Sequence, residues 1–245
     1  MGSEKAVILG ATSAVGQAIA RRLATEKVAL VLVARDVNKL ESVIADISAR
    51  AGITPQGIVA DLADVSTHSD LIDSCHDASS FWVLYGTLPD QELCEEDFSA
   101  ATDALNTNFL STASLLTHIA NLLQPRGTGS IVVVSSVAGD RGRKSNYVYG
   151  SAKGALSIFC AGLRNRLHAS HINLLTVKPG FIDTPMTANI EKKPGFLWVG
   201  PDVVARDVIH AWKRGKSVLY TPWFWQFIML IIRLVPEPIF KRLNL

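Results

Sequence analysis

Short apolar runs, many of them rich in β-branched residues, recur along this chain, and stretches of helical pattern separate them. The runs that we interpret as strands lie at residues 6–9, 28–33, 57–60, 81–86, 131–134 and 174–177. The stretches that we interpret as helices lie from about residue 17 to 25, up to about 50, from about 97 to 123 and from 148 to about 168. Because parallel strands need a crossover, this alternation predicts one parallel sheet with helices on both faces. The predicted fold is a doubly wound α/β fold in three α/β/α layers, formed as a single domain.

Composition argues against several classes of function. The 245 residues carry a formal net charge of +2, so the overall charge gives no reason to expect nucleic-acid binding. The cysteines Cys75, Cys94 and Cys160 are odd in number and lack metal-ligand spacing, which favours reduced thiols and predicts no metal site. The N-terminus shows neither a secretory signal nor a myristoylation pattern. We therefore expect a cytoplasmic protein.

The C-terminal end differs in composition from the rest. Residues 223–232 contain one polar residue in ten, so we separate a main domain over residues 1–222 from an apolar tail over residues 223–245. The tail is too short to span a bilayer as a helix. Its tryptophans and the cations that follow them are typical of a helix at a membrane interface, which would give the protein a peripheral membrane contact. The alternative is a helix that packs on its own domain or on a second subunit.

A glycine-containing turn links the first predicted strand to the first predicted helix. Glycine lets the backbone approach a pyrophosphate closely, and the N-terminus of the following helix favours an anion. A turn in this position, between strand and helix, predicts a dinucleotide site. The residues that we assign to this site are Gly10, Thr12, Ser13, Ala14, Val15 and Gly16.

The end of the second predicted strand bears on the choice of cofactor. An arginine there suits the 2′-phosphate of NADP, whereas a carboxylate binds the ribose hydroxyls of NAD. Arg35 therefore predicts NADP, used as NADPH. Asp36 is either a ribose acceptor or the N-cap of the next helix. Asp61, after the third strand, is either an adenine contact or a cap, and Gly86, after the fourth strand, leaves room for the cofactor.

Tyr149 and Lys153 are four residues apart, so both side chains lie on one face of the predicted helix. A phenol with a pKa of about 10 is a poor acid or base at neutral pH, and a neighbouring ammonium favours phenolate. The pair can therefore exchange protons near working pH, although the same spacing also occurs on solvated helix faces. Ser136 follows the predicted strand 131–134, where sites form in such sheets. Its hydroxyl could polarise the carbonyl oxygen that Tyr149 protonates.

These motifs, in this order, resemble the short-chain dehydrogenase/reductase family over residues 5–220. The resemblance rests on the glycine turn, Ser136, Tyr149-x-x-x-Lys153 and a later Pro-Gly turn. It implies a Rossmann fold and a reductase that acts on CH–OH and C=O groups with a nicotinamide cofactor. It also implies that Tyr149 is the general acid and base and that Ser136 orients the substrate oxygen. Lys153 would bind the nicotinamide ribose and lower the pKa of Tyr149.

The same resemblance implies further contacts. Asn108 would hold a water that links Lys153 to solvent, and Ile182 and Thr184 would contact the nicotinamide carboxamide. The remaining cofactor contacts that we expect are Leu62, Tyr85, Gly86, Pro179 and Gly180. We also expect a homodimer or homotetramer.

Two positions depart from the family pattern. Ala14 replaces the usual middle glycine of the turn, and Leu84-Tyr85-Gly86 replaces the usual Asn-Ala-Gly after the fourth strand. Neither change removes a proposed catalytic group. Tyr147 is excluded as the acid, because the residue four positions after it is Ser151 and not a lysine.

The sequence is also similar to a narrower branch, the bacterial reductases of a lipid-linked 2-keto-pentose (decaprenylphosphoryl-2-keto-ribose reductase). Residues 139–143, 148–151 and 216–245 carry that likeness, which implies a lipid-linked carbonyl substrate. The alternative substrates are other apolar ketones of steroid, acyl or xenobiotic type. The segment expected to close over the substrate runs from residue 186 to 200 and contains Lys192, Lys193, Phe196 and Trp198.

Three functions compete at this point. The leading hypothesis is an NADPH-dependent reductase of a small-molecule or lipid-linked ketone. The second is a non-catalytic NADP-binding regulatory protein, against which the intact set Ser136, Tyr149 and Lys153 argues, because a sensor does not need proton transfer. The third is a peripheral membrane module in which the tail carries the function.

Overall fold

The computed structural model describes residues 4–188, 190 and 195–243. The strands in these residues are β1 Lys5–Leu9, β2 Ala29–Ala34, β3 Gln56–Val59, β4 Ser80–Val83, β5 Ser130–Val134, β6 Asn173–Pro179, β7 Phe181–Ile182, β8 Trp198–Val199 and β9 Val218–Thr221. The α-helices are α1 Ala14–Thr25, α2 Val37–Ala51, α3 His68–Ser74, α4 Gln91–Glu96, α5 Phe98–Leu105, α6 Ser111–Leu123, α7 Tyr147–Leu167, α8 Pro201–Lys213, α9 Trp225–Leu234 and α10 Glu237–Phe240.

One sheet organises the molecule. Its strand order is β3-β2-β1-β4-β5-β6-β9, and every neighbouring pair is parallel. The chain winds outward from β1 to β3 and then returns to β4, which pairs with β1 at the centre with Leu9 opposite Val83. Because the winding direction reverses between β1 and β4, a crevice forms there at the carboxyl ends of the strands. The predicted doubly wound parallel sheet is confirmed.

Two apolar layers separate the sheet from the helices. On one face α1, α2 and α8 pack against the sheet through buried side chains that include Ile19 and Val208. On the other face α3, α6 and α7 do so through Ile72, Leu116 and Leu156. Full burial of one such side chain contributes about 1.5–3 kcal/mol. The three-layer α/β/α architecture is therefore confirmed as well.

The first helix begins three residues earlier than the sequence pattern predicts. Ser13 is its N-cap, because the Ser13 Oγ accepts a hydrogen bond of 3.0 Å from the backbone N–H of Gly16. Ala14 and Val15, which we assigned to the turn, are consequently the first residues of α1. The N-terminus of the helix thus lies closer to the strand end than expected.

A π-helical turn, Asn106–Leu110, separates α5 from α6 within the helix predicted over residues 97–123. The Asn108 side-chain amide donates to the carbonyl oxygen of Ala104 at 2.9 Å, and its Oδ1 accepts from the N–H of Thr87 at 3.1 Å. This side chain competes for the carbonyl that an α-helix assigns to the backbone N–H, which favours a wider turn. The turn places Asn108 beside the segment that follows β4.

The sequence pattern missed the edge strand β9. Its four residues mix apolar and polar side chains, so they show neither an apolar run nor a clear alternation. The pattern also extended the fourth strand to residue 86, whereas β4 ends at Val83. Residues 84–86 are therefore a loop at the strand end, where a ligand can be contacted.

The tail forms an amphipathic helix that packs on the main fold through one face. Trp225 and Met229 of α9 are 4% and 1% exposed and pack against Val137. Phe227 and Ile231 on the opposite face are 57% and 66% exposed. The inner face of α9 therefore packs on the chain's own main domain, while the outer face is apolar and exposed. Within residues 4–188, 190 and 195–243, no helix is long and apolar enough to cross a membrane.

Candidate active site

A cavity of about 260 Å³ opens at the carboxyl ends of β1, β4, β5 and β6. Parallel strands bring residues from distant parts of the chain to this edge, because their carboxyl ends all point the same way. The predicted site residues that line the cavity are Thr12, Ser13, Ala14, Val15, Tyr85, Gly86, Asn108, Ser136, Tyr149, Lys153, Pro179, Gly180, Ile182 and Thr184.

The two predicted glycines of the turn support the cavity from beneath instead of lining it. Gly10 has a φ of +90°, and a Cβ at this position would lie 2.7 Å from the Tyr85 Cβ. A Cβ at Gly16 would lie 2.5 Å from the carbonyl oxygen of Gly10. The residues between the two glycines, Thr12 to Val15, line the cavity at the N-terminus of α1. The turn therefore needs glycine for close packing of the backbone as well as for its conformation.

Ser136 lies two residues after the end of β5 and is the N-cap of a 3-10 helix, Val137–Asp140. Its Oγ accepts a hydrogen bond of 3.1 Å from the N–H of Ala138. The loop then touches the backbone of α7, since a Cβ at Gly139 would lie 2.5 Å from the carbonyl carbon of Lys153. Only a glycine allows this approach, and the approach holds the loop of Ser136 against the helix of the tyrosine and lysine.

Tyr149 lies in the first turn of α7 and is half-buried. Burial raises the pKa of Tyr149 to about 12, and a hydrogen bond with the Ser136 hydroxyl opposes that rise. Lys153 lies one turn later, with its Nζ 5.9 Å from the centroid of the Tyr149 ring. The predicted serine, tyrosine and lysine therefore meet in one cavity.

Lys153 is a buried cation with few partners. Burial lowers the pKa of Lys153 from 10.5 to about 8. Its Nζ donates to the carbonyl oxygen of Val134 at 3.2 Å, the single hydrogen bond of this ammonium among the described residues. An ammonium has three donors, so two remain for groups in the cavity. Gly86 and Asn108 border the same space, because a Cβ at Gly86 would lie 3.3 Å from Lys153 Nζ and 2.7 Å from Asn108 Oδ1.

Three other predicted cofactor residues lie outside the cavity lining. Arg35 is exposed directly after β2. Asp61 is also exposed, and its Oδ1 accepts from the N–H of Ala63 at 3.0 Å. Leu62 is buried in the core, where its carbonyl oxygen accepts from the Tyr85 hydroxyl at 3.4 Å. The Tyr85 phenol also meets the Ser111 Oγ at 2.8 Å, so the Tyr85 side chain points into the core while its backbone borders the cavity.

Asp36 was open to two interpretations, and the structure shows the N-cap. Its Oδ1 accepts a hydrogen bond of 3.1 Å from the N–H of Lys39 at the start of α2. This hydrogen bond lowers the pKa of the Asp36 carboxyl. The carboxylate therefore satisfies the helix end, and Arg35 is left as the polar side chain directed to solvent at this strand end.

Sequence reasoning missed part of the site. The additional lining residues are Leu84, Val134, Ser135 and Pro185, and the lining also includes Met186 and Thr187 from the segment expected to close over the substrate. It also missed the role of the tail, since a Cβ at Gly180 would lie 1.9 Å from the Trp225 Nε1, so the indole covers the Pro-Gly turn. No local pattern predicts either contact, because both depend on packing between distant segments.

The structure describes residues 186–188, 190 and 195–200 of the segment that we expect to close over the substrate. Lys192 and Lys193 lie outside the described residues. Trp198 belongs to β8, and its ring stacks on Phe181 with the centroids 5.0 Å apart. Phe196 is 72% exposed. The aromatic residues of this segment therefore divide between packing on β7 and contact with solvent.

Comparison with known proteins adds to these observations. A family model described as short chain dehydrogenase matches residues 4–195. An uncharacterized oxidoreductase of Mycobacterium tuberculosis is 37% identical over 246 residues, which cover 99% of this chain and 98% of that protein. A solved short chain dehydrogenase/reductase family protein is 26% identical, with a TM-score of 0.79 over 89% of this chain and 94% of that one. A short-chain dehydrogenase from Sphingobium yanoikuyae in complex with NADPH is 21% identical, with a TM-score of 0.84 over 98% and 96% of the two chains.

The family match and the geometry agree. The matched residues 4–195 include the glycine turn, Ser136, Tyr149 and Lys153, all of which the fold brings to the cavity or its floor. The mycobacterial relative extends the similarity over nearly the whole chain, tail included. The chain is therefore an oxidoreductase that belongs to the short chain dehydrogenase family.

Proposed function

We propose that the protein is an NADPH-dependent carbonyl reductase that converts a ketone into a secondary alcohol. The observation that carries this proposal is the convergence of Ser136, Tyr149 and Lys153 on one cavity. A hydroxyl, a phenol and an ammonium in one cavity form a complete set for proton transfer to an oxygen. A regulatory protein that only binds NADP has no use for such a set.

The residues of the cavity fit a nicotinamide dinucleotide. The N-terminus of α1, with Thr12 to Val15, would hold the pyrophosphate. The two unused donors of the Lys153 ammonium match ribose hydroxyls, and the turn at Gly180 with Ile182 and Thr184 would contact the carboxamide. The bound cofactor supplies the hydride. The Sphingobium yanoikuyae protein of the same fold binds NADPH in its structure.

The side chains would act on the substrate oxygen. Tyr149 donates its phenolic proton to that oxygen as the carbonyl carbon is reduced, and Ser136 donates a hydrogen bond to the same atom. The ammonium of Lys153 favours the phenolate that remains on Tyr149. Asn108 would hold a water between Lys153 and solvent, so that a proton can return to the phenol.

The direct test is to incubate the protein with NADPH and each member of a panel of ketones. The loss of NADPH absorbance measures oxidation of the cofactor. The panel contains small cyclic ketones, acyl ketones, steroid ketones and a polyprenyl-phosphate-linked 2-keto-pentose. Turnover of any member identifies a reductase and gives its substrate class. Tight NADPH binding without turnover of any member would instead favour the regulatory alternative.

Arg35→Ala should weaken NADPH binding by at least about tenfold and leave NADH binding nearly unchanged. The exposed guanidinium can bind the 2′-phosphate through charge-assisted hydrogen bonds worth roughly 1.5–3 kcal/mol each. Dissociation constants of both cofactors, measured by fluorescence titration, check this prediction. Arg206→Ala is the matched control, because Arg206 is an exposed arginine paired with Asp207 on α8. Equal losses for both cofactors would show a general structural role for Arg35.

We further propose that the substrate is lipid-linked. This narrower proposal rests on the resemblance to keto-pentose reductases that we infer from residues 139–143, 148–151 and 216–245, and on the position of α9, whose inner face covers the Pro-Gly turn of the site. The outer face of the same helix exposes apolar side chains, and Arg233, Lys241 and Arg242 follow as exposed cations. An apolar face beside cations is suited to an anionic membrane surface, where a polyprenyl-linked substrate would be met.

The protein should therefore bind anionic vesicles through the outer face of α9. Removing the whole tail would also remove Trp225 and Met229 from the fold, so point substitutions are the cleaner test. Phe227→Ser with Ile231→Ser should reduce co-sedimentation by at least about tenfold, because burial of each side chain is worth about 1.5–3 kcal/mol.

The control for this experiment is Val59→Ser, since Val59 is 56% exposed on β3 at the opposite edge of the sheet. Vesicles of phosphatidylglycerol and phosphatidylcholine at low salt provide the surface. If the parent protein stays in the supernatant, the proposal of a membrane contact is wrong. The proposal of a lipid-linked substrate then loses its structural support.

We also propose that the chain forms a homodimer or homotetramer. Phe98, Leu110 and Ile158 are 75%, 54% and 76% exposed, and they lie on α5, the π-helical turn and α7, which pack against one another. A second copy of the chain would bury such side chains. Light scattering should give two or four times the mass of the chain, and Ile158→Asp should shift the population to monomer. A monomeric parent at micromolar concentration would contradict the proposal.

A further inference from the structure

The loop that begins at Ser136 ends in two charged residues, Asp140 and Arg141, whose side chains bind different segments of the chain. The Asp140 Oδ1 accepts from Lys178 Nζ at 2.5 Å, and its Oδ2 accepts from the Tyr220 hydroxyl at 2.7 Å. The Asp140 side chain is 3% exposed and that of Lys178 14% exposed. Lys178 directly precedes the Pro179-Gly180 turn and Tyr220 lies in β9, so one buried carboxylate joins three segments around the cavity.

Arg141 is the second, and it holds the C-terminal end of α9. Its guanidinium donates to the carbonyl oxygens of Ile232 and Val235 at 2.6 Å each and to Glu237 Oε2 at 2.9 Å. The same guanidinium lies 3.7 Å from the centroid of the Phe240 ring. The last carbonyls of a helix have no partner within it, and a cation there is stabilising. Arg141 therefore anchors the tail to the loop of the serine.

The anchored helix in turn contacts the site from behind. Trp225 and Met229 pack on Val137, the residue that follows Ser136. The Trp225 indole also covers Gly180. The tail thus touches both the serine loop and the Pro-Gly turn, and Asp140 with Arg141 connects all three. A shift of either charged residue would be transmitted to Ser136 through four residues of 3-10 helix.

We propose that Asp140 and Arg141 are positioning residues that couple the C-terminal segment to the location of Ser136, an inference that rests on the proposed reductase function for its kinetic consequence. Neither side chain lines the cavity. Each acts through the loop that begins at Ser136. Gly139 packs this loop against α7, and the two charged side chains bind it to β6, β9 and α9. A misplacement of about 1 Å in such a group can cost roughly 10²-fold in rate.

Arg141→Gln tests the coupling. It removes the anchor, and it takes a partner from the exposed Glu237 and from the carbonyl oxygens of Ile232 and Val235. An exposed ion pair contributes little and water can bind carbonyls at a helix end, so the fold should survive. Hydrogen exchange of the full-length protein is the first readout and needs no turnover. Amides of residues 225–235 should exchange at least about tenfold faster, and so should those of residues 137–141. Arg233→Gln is the matched control, an exposed arginine on the same helix whose side chain makes no hydrogen bond among the described residues. Faster exchange confined to the tail would overturn the coupling.

Kinetics supply the second readout. Arg141→Gln and Asp140→Asn should each lower kcat by at least about tenfold, with the dissociation constant of NADPH changed less than about twofold. A parent that reduces no ketone would refute the proposed function, and the exchange experiment would still decide the coupling. An active parent with unchanged kcat in Arg141→Gln would refute the positioning role. Asp140→Asn leaves Lys178 buried without its counter-charge, so if that variant fails to fold, Arg141→Gln decides.

Discussion

Tyr149→Phe should abolish turnover while NADPH still binds. The phenol is the proton donor of the proposed reaction, and the phenylalanine ring can fill the same space without it. General acid–base catalysis contributes about 10²–10⁴-fold, so kcat should fall by that amount. The rate of NADPH oxidation with a ketone substrate, together with a fluorescence titration of NADPH, separates loss of chemistry from loss of binding.

Tyr147→Phe is the control for this substitution. Tyr147 begins the same helix but is 44% exposed and does not line the cavity. Its substitution should leave kcat unchanged. Activity of Tyr149→Phe within about threefold of the parent would remove Tyr149 from the mechanism, since a lost general acid costs far more.

Lys153→Met should also abolish turnover, and it should stabilise the protein in the absence of cofactor. The ammonium of Lys153 is desolvated, which lowers its pKa from 10.5 to about 8, and no carboxylate pairs with it among the described residues. Replacing a buried cation by an apolar side chain of similar length removes that cost, which is on the order of 1–3 kcal/mol near pH 7. Urea unfolding of the cofactor-free parent and variant measures the gain.

The gain should shrink as the pH rises. Between the folded pKa of about 8 and the unfolded value of 10.5, the unfolded chain binds more protons at Lys153 than the folded protein does. The stability of the parent therefore rises with pH in this window, whereas Lys153→Met lacks that rise. The pKa of Tyr149 is raised from 10.0 to about 12. Titration of Tyr149 therefore lowers the stability of the folded protein only as the pH rises towards about 10 and above, near the upper end of the Lys153 window. If the free energies of unfolding of the parent and Lys153→Met differ by the same amount at about pH 7 and about pH 9.5, the lowered pKa of Lys153 is wrong.

The elements and residues that carry local signals were predictable. The i, i+4 spacing of Tyr149 and Lys153 holds on any helix, and the β-branched run before Ser136 forms a strand in almost any parallel sheet. The boundaries were less predictable. Ser13 starts α1 early by accepting the Gly16 N–H, and Asn108 inserts a π-helical turn through its side-chain amide. In both cases a single side-chain hydrogen bond, invisible to periodicity, sets the boundary.

The sequence by itself thus determined the order of β1 to β6, the candidate proton-transfer residues Ser136, Tyr149 and Lys153 and the arginine at the end of β2, because each shows in local periodicity or spacing. Only the tertiary structure decided which face of α9 packs inward, why Gly139 and Gly180 must lack a side chain, and how Asp140 meets Lys178 and Tyr220. These contacts join residues that lie tens of positions apart. They depend on which strands become neighbours in the sheet and on how closely two backbones approach, and neither quantity is encoded in any short stretch of the chain.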